Sequence, residues 1–407
     1  MRPLNVARRE VLESLPEMGA ETVDLERALG GVAAIDLISA AEVPPFANSA
    51  MDGYAVRADD IGAAPVRLRI IEDVPAGSTP EKAVGEGEAT RIMTGAPVPD
   101  GADCIVMVED TTDLGNGTVE ISVAVERGTS VRKAGADVSQ GDVLVNRGTR
   151  LTARHLASLA STGATPHVAR RPTVAVMSTG DEVLPPDTAD LPRGKIRDTN
   201  RPMIKNLLAD LAVPTVDLGI VGDNPGDLRE AYRTAAASAD IIVSTGGVSM
   251  GDYDYVKFVL ADLGSVQFWK VAMQPAKPFA FGAVDGVPLF GLPGNPVSTF
   301  VAFEQFVRPG LLSMMGASNL LRPRVVGTAG EDLSTNIEKE VFLRVLLAED
   351  DSKFVALQSG GQGSNMLSSL AAADSFAVVP VGTDTVAAGS DVELEMFTWD
   401  ENRGIDD

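Results

Sequence analysis

The sequence predicts a multidomain protein of α/β plus β class: a three-layer α/β domain, a small inserted β domain, a helical and extended linking domain, and a C-terminal β domain. Three observations carry that expectation. From Arg171 onward, strand-like and helix-like segments alternate, which argues a largely parallel sheet covered on both faces. Between Tyr54 and about Val145, short strand-like runs are separated by glycine, proline and aspartate, and after Gly316 the texture turns to β again. The 407 residues also exceed what one ordinary core organises. The expected partition is 1–45 with 144–170 as linking domain, 46–143 as small β domain, 171–318 as α/β domain and 319–407 as C-terminal β domain.

In chain order, NVARREVLESL at 5–15 places Val6, Val11, Leu12 and Leu15 near one helical face. ETVDLERALGGVAAIDLIS is short and extended or helical, and VPPFANS breaks the pattern with two prolines. VRLRII, EATRIMTG, DCIVMVED and TVEISVAV read as strands of the inserted domain, before LTARHLASLASTG returns to helix. In the alternating region TVAVMS, TVDLGIV and DIIVS read as strands, with helices TNRPMIKNLLADL, NPGDLREAYRTAAAS and DYVKFVLADLG between and after them. Asn200 and Asn224 stand where helix caps belong, with Pro202 and Pro225 just inside. FAFGA and VPLFGL form a hairpin through Asp285-Gly286, and PVSTFVAFEQFVRPGLLSMM is a long helix that Pro309 should kink.

Charge and composition exclude several function classes. The 34 basic and 57 acidic residues give a net charge of -23, which repels nucleic acid and anionic membranes. No apolar run reaches the length of a membrane span, and the amphipathic N-terminus does not read as a signal peptide. A lone Cys104 fits a reducing compartment, so a cytoplasmic protein is expected. His155 and His167 are too few for a histidine-rich metal centre. Carboxylate, lysine and glycine remain, the groups that divalent cation and phosphate chemistry uses.

Two strand ends echo each other, VAVMSTGDE and IIVSTGGVSMGD. Ligands of open α/β sheets gather at the carboxyl ends of strands. Ser178, Thr179 and Gly180 in the first loop, and Ser244, Thr245, Gly246, Gly247 and Ser249 in the second, can present backbone N–H groups to an anion. One such loop alone would read as a plain turn; two copies flanked by acids favour a site. Neither a P-loop nor a dinucleotide fingerprint is present. Asp181, Glu182, Asp223, Asp252 and Asp254 follow predicted strands, where Mg2+ could bridge carboxylates to phosphate oxygens; for Asp223, helix capping is an equal alternative. Lys270 and Lys277 lie nearby, Lys277 rigidly set between Pro275 and Pro278. The turn from Pro293 to Pro296 feeds a helix N-terminus, a further anion position. In the inserted domain Asp52, beside which Gly53 permits a tight bend, and Thr94 and Asp137 sit in glycine-rich loops that turn and hairpin chemistry explains as well as a site does.

Together, PPFANSAMDGYAVR, RIMTGAPVPDGAD, RKAGADVSQGD, STGDE, IRDTNR, STGGVSMGDYDY, KPFAFG and GLPGNPVS, in this order over nearly the whole chain, resemble the molybdopterin molybdenumtransferases, or molybdenum insertases, which include the E domain of gephyrin. The resemblance implies an elongated homodimer of four-domain subunits, with the site between the α/β domain of one subunit and the small β domain of the other. It implies adenylylated molybdopterin and molybdate as substrates, and cleavage of the phosphoanhydride with a divalent cation, Mg2+, to release AMP. A molybdopterin adenylyltransferase and molybdoenzymes would be partners. Carried over by position, Asp52, Asp137, Glu182, Asp223 and Asp254 take catalytic roles, Glu182 and Asp254 at the metal. Thr94 and Lys270 fall at the substrate, beside the anion position already read at Pro293 and Pro296, and Lys277, Arg344 and Ser364 at molybdate.

One departure stands out: similar proteins commonly read KPGKP where this chain reads QPAKP, so Gln274 replaces a lysine and Ala276 a glycine. Losing that charge weakens the electrostatic hold on an oxyanion, although Gln274 still donates hydrogen bonds. A paralogue preferring tungstate, a scaffold like gephyrin, and a plain oxyanion carrier are the alternatives. An adenylyltransferase or pyrophosphatase on the same α/β module would lack the NSAMDGY domain.

Overall fold

A computed structural model describes residues 1–247, 255–350 and 353–397. The first helix, Leu4–Ser14, buries Leu4, Ala7 and Val11. Val6, Leu12 and Leu15 of the expected face are only half-buried, because the helix packs into the α/β core beside Val271, Phe306 and Leu311. The linking region forms where the chain enters and leaves the inserted domain. Ala20–Thr22 pairs antiparallel with His167–Ala169, and Leu37–Ile38 with Val143–Val145, over a core that includes Val23, Leu151 and Leu159. His155 caps the helix Ala153–Thr162, its ring accepting from Thr152 N at 3.1 Å.

The inserted domain is a six-stranded sheet in the order Cys104–Met107, Gly53–Val56, Glu88–Ile92, Val66–Val74, Thr118–Ile121, Thr111–Asp113. Sequence reasoning gave Gly53 a tight bend; it instead opens an interior strand. A Cβ there would lie 2.0 Å from the Val106 carbonyl oxygen, so close approach of the neighbouring strand is what demands glycine.

The α/β domain has the expected three layers. Its sheet runs Thr215–Val221, Val174–Thr179, Ile241–Thr245, Val287–Leu292, Pro278–Val284, Gln267–Lys270; the first four strands are mutually parallel, and Pro278–Val284 is antiparallel to both of its neighbours. Asn200–Asp210 and Pro296–Ala302 cover one face, through Ile204, Leu208 and Val297, while Pro225–Ser238 and Tyr255–Leu263 cover the other, through Leu228, Tyr232 and Val259. The hairpin turn has φ of 47° at Asp285 and 84° at Gly286, the double positive φ that a tight turn between twisted strands requires.

Two end-of-helix expectations separate. Asn224 is a true cap, accepting from Gly226 N at 2.7 Å and Asp227 N at 3.3 Å. Asn200 is not: the helix it begins is preceded by Thr199, which makes no side-chain cap bond, and the Asn200 amide points inward to the sheet ends. Pro309 acts as expected in that the long helix is broken, but as a five-residue π turn at Phe303–Val307 before Arg308–Met314. Proline has no N–H for the Gln305 carbonyl, which accepts instead from Arg8 Nε at 3.1 Å.

The C-terminal sheet runs Met273–Gln274, Glu340–Asp350, Lys353–Gln358, Arg324–Ala329, Asp391–Met396, Ser375–Val379, and pairing of Glu340–Asp350 with Ser375–Val379 closes it into a barrel. Its first strand belongs in sequence to the α/β domain, so the two domains share backbone hydrogen bonds. Among the described residues no helix is long and apolar enough to cross a membrane.

Gly53→Ala should lower stability by about 2 kcal/mol through overpacking against Val106. Thermal unfolding checks this; an unchanged midpoint would mean that the strands separate freely.

Candidate functional site

A cavity of about 600 Å³ opens where the parallel strands of the α/β domain end and the C-terminal barrel begins. Its walls include Glu182, Gly246, Gly247, Gln274, Lys277, Pro293, Asn295, Lys339 and Ser364. Of the residues expected from sequence, the structure therefore gathers Glu182, Gly246, Gly247, Lys277, Pro293 and Ser364 in one place.

The polar residues of the two echoing loops serve the scaffold. Ser178, Thr179, Ser244 and Thr245 are buried. Ser178 Oγ donates to Asp198 at 2.9 Å, and Asp198 is held in turn by Arg201 Nε at 2.9 Å. Arg201 also grips Asp217. Burial pushes that carboxyl up, but hydrogen bonds from Lys205, Gly219 and Arg201 outweigh it and hold its pKa at about 2. Asn200 Nδ2 donates to Thr245 Oγ1 at 2.8 Å and to the Gly294 carbonyl at 2.7 Å, tying three loops together. Two expected anion-binding amides are already spent, Gly180 N on the Val221 carbonyl and Gly246 N on that of Leu292. Gly246 is needed for shape, since its φ is +94° and a Cβ would meet the Thr179 carbonyl at 2.4 Å.

Glu182 is an exposed carboxylate on the cavity wall. Its loop is set by a reciprocal clasp: Asp181 N donates to Asp223 Oδ2 at 3.2 Å and Asp223 N to Asp181 Oδ1 at 3.0 Å, while Lys195 Nζ donates to the Asp181 carbonyl at 2.7 Å. Asp223 is thus neither cap nor cavity wall; it positions the Glu182 loop. Ser249, Asp252 and Asp254 lie outside the described residues.

The C-terminal domain closes the other side. Asn295 Nδ2 donates to Ser364 Oγ at 3.0 Å, and Val297 N donates to the Ser364 carbonyl at 3.1 Å, so a loop from the barrel caps the helix that begins at Pro296. That bond uses an amide of the helix N-terminus expected to hold an anion, and Pro296 is not part of the wall. Arg344 corrects another expectation. Its side chain is fully buried, donating to Ser369 Oγ at 3.1 Å and to the carbonyls of Gly361 at 2.8 Å and Gly363 at 3.2 Å. No carboxylate pairs with it among the described residues, and burial lowers its pKa. Arg344 therefore holds the loop that presents Ser364, one layer behind the cavity.

Asp52, Thr94 and Asp137 stand in the small β domain, away from the cavity of their own chain. Asp52 is exposed and accepts from Thr94 N at 2.6 Å and Thr94 Oγ1 at 2.8 Å; these bonds hold its carboxyl below the usual 3.8. Lys270 is exposed on the edge strand and also lies outside the wall. Sequence reasoning missed Asn295 and Lys339 as wall residues and Asn200 as the brace of the Thr245 and Gly294 loops. Asn200 and Asn295 were visible in IRDTNR and GLPGNPVS, whereas Lys339, in the turn NIEKE, carries no local signal.

Fold and cavity define a multidomain α/β plus β protein with a binding site at the carboxyl ends of its parallel strands, where two domains meet. Three family models match in order: the MoeA N-terminal region (domain I and II) at residues 2–163, a probable molybdopterin binding domain at 175–313, and the MoeA C-terminal region (domain IV) at 326–397. The chain is 37% identical over 401 residues to the molybdopterin molybdenumtransferase of Haemophilus influenzae, covering 98% of this chain and 99% of that protein. It is 37% identical over 411 residues to molybdopterin molybdenumtransferase 2 of Mycobacterium tuberculosis, covering 98% and 100%. A solved molybdopterin biosynthesis MoeA protein from Pyrococcus horikoshii superposes with a TM-score of 0.79 at 33% identity, covering 97% of this chain and 99% of that one. The chain belongs to the molybdopterin molybdenumtransferase family, enzymes of molybdenum cofactor biosynthesis.

Two outcomes follow from this geometry. Arg344→Met removes the burial of a lone charge but takes one of two donors from each of the Gly361 and Gly363 carbonyls, so stability should fall by only about 1–3 kcal/mol while amide exchange across 361–366 accelerates. Unaltered exchange there would dissociate Arg344 from the loop. For Asp52 the folded pKa lies below the unfolded one, so its tie to Thr94 is complete above the ordinary carboxylate range and disappears as pH falls through the folded value. Thr94→Val should move the Asp52 midpoint upward in an NMR titration, and an unmoved midpoint would assign the whole effect to the backbone.

Proposed function

We propose that this chain, acting in the cytoplasm as a homodimer, inserts molybdate into adenylylated molybdopterin and releases AMP with the help of a divalent cation. The observation that carries this reading is the composite cavity: a carboxylate, Glu182, on its wall, with a cation, Lys277, and a hydroxyl, Ser364, contributed from two domains. The exposed Asp52, Thr94 and Asp137 lie off that cavity, which supports a second copy completing the site.

In this scheme Lys277 and the Ser364 hydroxyl bind molybdate oxygens, and Asn295 fixes the hydroxyl through its 3.0 Å bond. Gly246 and Gly247 form the part of the wall at the strand ends against which the pyrophosphate would lie. Water attacks the adenylyl phosphorus, the anhydride P–O bond breaks, AMP departs, and the pterin keeps its own phosphate; if a molybdate oxygen attacks instead, an adenylyl-molybdate forms and AMP departs when an incoming dithiolene sulfur breaks its Mo–O bond. The two dithiolene sulfurs then replace two oxygens on molybdenum, which leave as water with protons from the thiols and solvent. Mg2+ prefers oxygen donors and commonly uses one or two carboxylates with substrate phosphates, which Glu182 fits; among the described residues no group of three or more candidate ligands forms a protein-only cage. When bound, such a cation supplies charge neutralisation at the phosphates. Glu182 would hold it, with Asp254 as the second expected ligand. The substrate itself must come from an adenylyl-transfer reaction.

The test incubates purified protein with adenylylated molybdopterin, Mg2+ and either molybdate or tungstate, and follows AMP and metallated pterin together. Wild type should form both, and Glu182→Gln should slow AMP release by about 10²-fold or more at unchanged thermal stability. Wild-type turnover in that variant would remove Glu182 from the mechanism, and no AMP from wild type would overturn the transferase reading.

A further inference from the structure

Lys339 is the one wall lysine that no sequence motif marked, and its setting is built on both sides. It directly precedes the barrel strand Glu340–Asp350, whose first residues pair in parallel with Met273 and Gln274. Glu340 N donates to the Ala272 carbonyl at 3.0 Å, and Lys339 N donates to the Asn336 carbonyl at 3.0 Å, which fixes the backbone on either side of the Lys339 side chain. Its Nζ donates to Gln274 Oε1 at 3.2 Å. An ammonium has donors only, so the oxygen of the Gln274 amide must face it, and the two N–H donors of that amide are left pointing elsewhere. Gln274, Lys277 and Lys339 all line the cavity.

Charge makes this arrangement unusual for the chain. Its 57 acidic residues outnumber 34 basic ones, and the salt bridges of the described residues absorb many of the arginines, yet neither Lys277 nor Lys339 has a carboxylate partner among the described residues. Two unneutralised ammonium groups facing one cavity repel each other unless an anion sits between them. A tetrahedral oxyanion, with acceptors in every direction, satisfies both ammonium groups and the Gln274 amide at once.

We propose that Lys339, ordered by Gln274, is an oxyanion-binding residue that grips molybdate from the C-terminal domain opposite Lys277 of the α/β domain. This deepens the transferase reading and rests on it for the identity of the anion. It also accounts for the glutamine at 274: the charge that the position lacks is delivered beside it by Lys339, and the amide orients that charge.

The experiment measures molybdate binding by calorimetry on the full chain without pterin, and separately the molybdate dependence of AMP release. Lys339→Ala should weaken binding about tenfold or more and raise the KM for molybdate with kcat nearly unchanged, as loss of a uniform binding contact does. Lys339→Arg should restore much of it, and Gln274→Lys combined with Lys339→Ala should return the charge to the cavity and recover affinity. A wild-type molybdate affinity and KM in Lys339→Ala, with matched thermal stability, would overturn the proposal while leaving the transferase reading intact. Conversely, Lys339-dependent molybdate binding without AMP release from wild type would uphold this inference and sink that reading.

Discussion

The structure around the cavity depends on a very short element, the parallel pairing of Met273–Gln274 with Glu340–Val341. Few residues are involved, yet the pairing makes one backbone ladder common to the α/β domain and the barrel. A side-chain interface would leave the domains free to slide by fractions of a residue. A ladder cannot slide that way, because a one-residue slip reverses which side chains face the cavity. Gln274 and Lys277 on one partner and Lys339 on the other therefore keep their spacing through covalent geometry and hydrogen bonds.

A buried polar network supports that seam from behind. Glu304, almost fully buried, accepts from Arg322 at 2.9 and 3.1 Å, and Glu395, equally buried, accepts from Gln305 at 2.6 Å and Arg324 at 2.9 and 3.0 Å. Removing carboxylates from water is tolerable only when their lone pairs are met, and here each partner is distant in sequence from the carboxylate it meets. Glu304 and Gln305 lie within the π turn, so the helix irregularity that Pro309 imposes puts consecutive residues of the α/β domain onto Arg322, just ahead of the barrel strand Arg324–Ala329, and onto Glu395 of the barrel strand Asp391–Met396. The Phe279 and Phe306 rings, stacked at 4.1 Å between centroids, fill the space beneath.

The fold was legible in the sequence wherever periodicity is a local property. Alternation after Arg171, the Asp285-Gly286 turn and the Asn224 cap each depend on a few neighbouring residues, and each is present. The failures share a cause. Asn200 has the composition of a cap, but the Thr245 hydroxyl 2.8 Å away competes for its amide, and no local window contains both. Gly53 looked like a bend because glycine usually is one, whereas its reason is a carbonyl on a strand more than 50 residues later. Arg344 matched by position, yet whether a guanidinium reaches a cavity or braces its wall depends on the 361–363 loop folding over it.

The same distinction between local and global governs charge. A net charge of -23 suggests a protein that repels oxyanions and phosphates, and at long range it does. In physiological salt, however, charges farther apart than roughly 8 Å are largely screened, so the chain's distant carboxylates weigh little inside the cavity. What an anion meets there is decided by the few groups on the wall. Glu182 stands on one side, where a cation would convert it from repulsive to attractive; Lys277 and Lys339, without acidic partners among the described residues, stand on the other. Acidic surfaces and an anion-binding site are compatible because the seam between two domains collects its cations from both, where composition alone gives no sign of them.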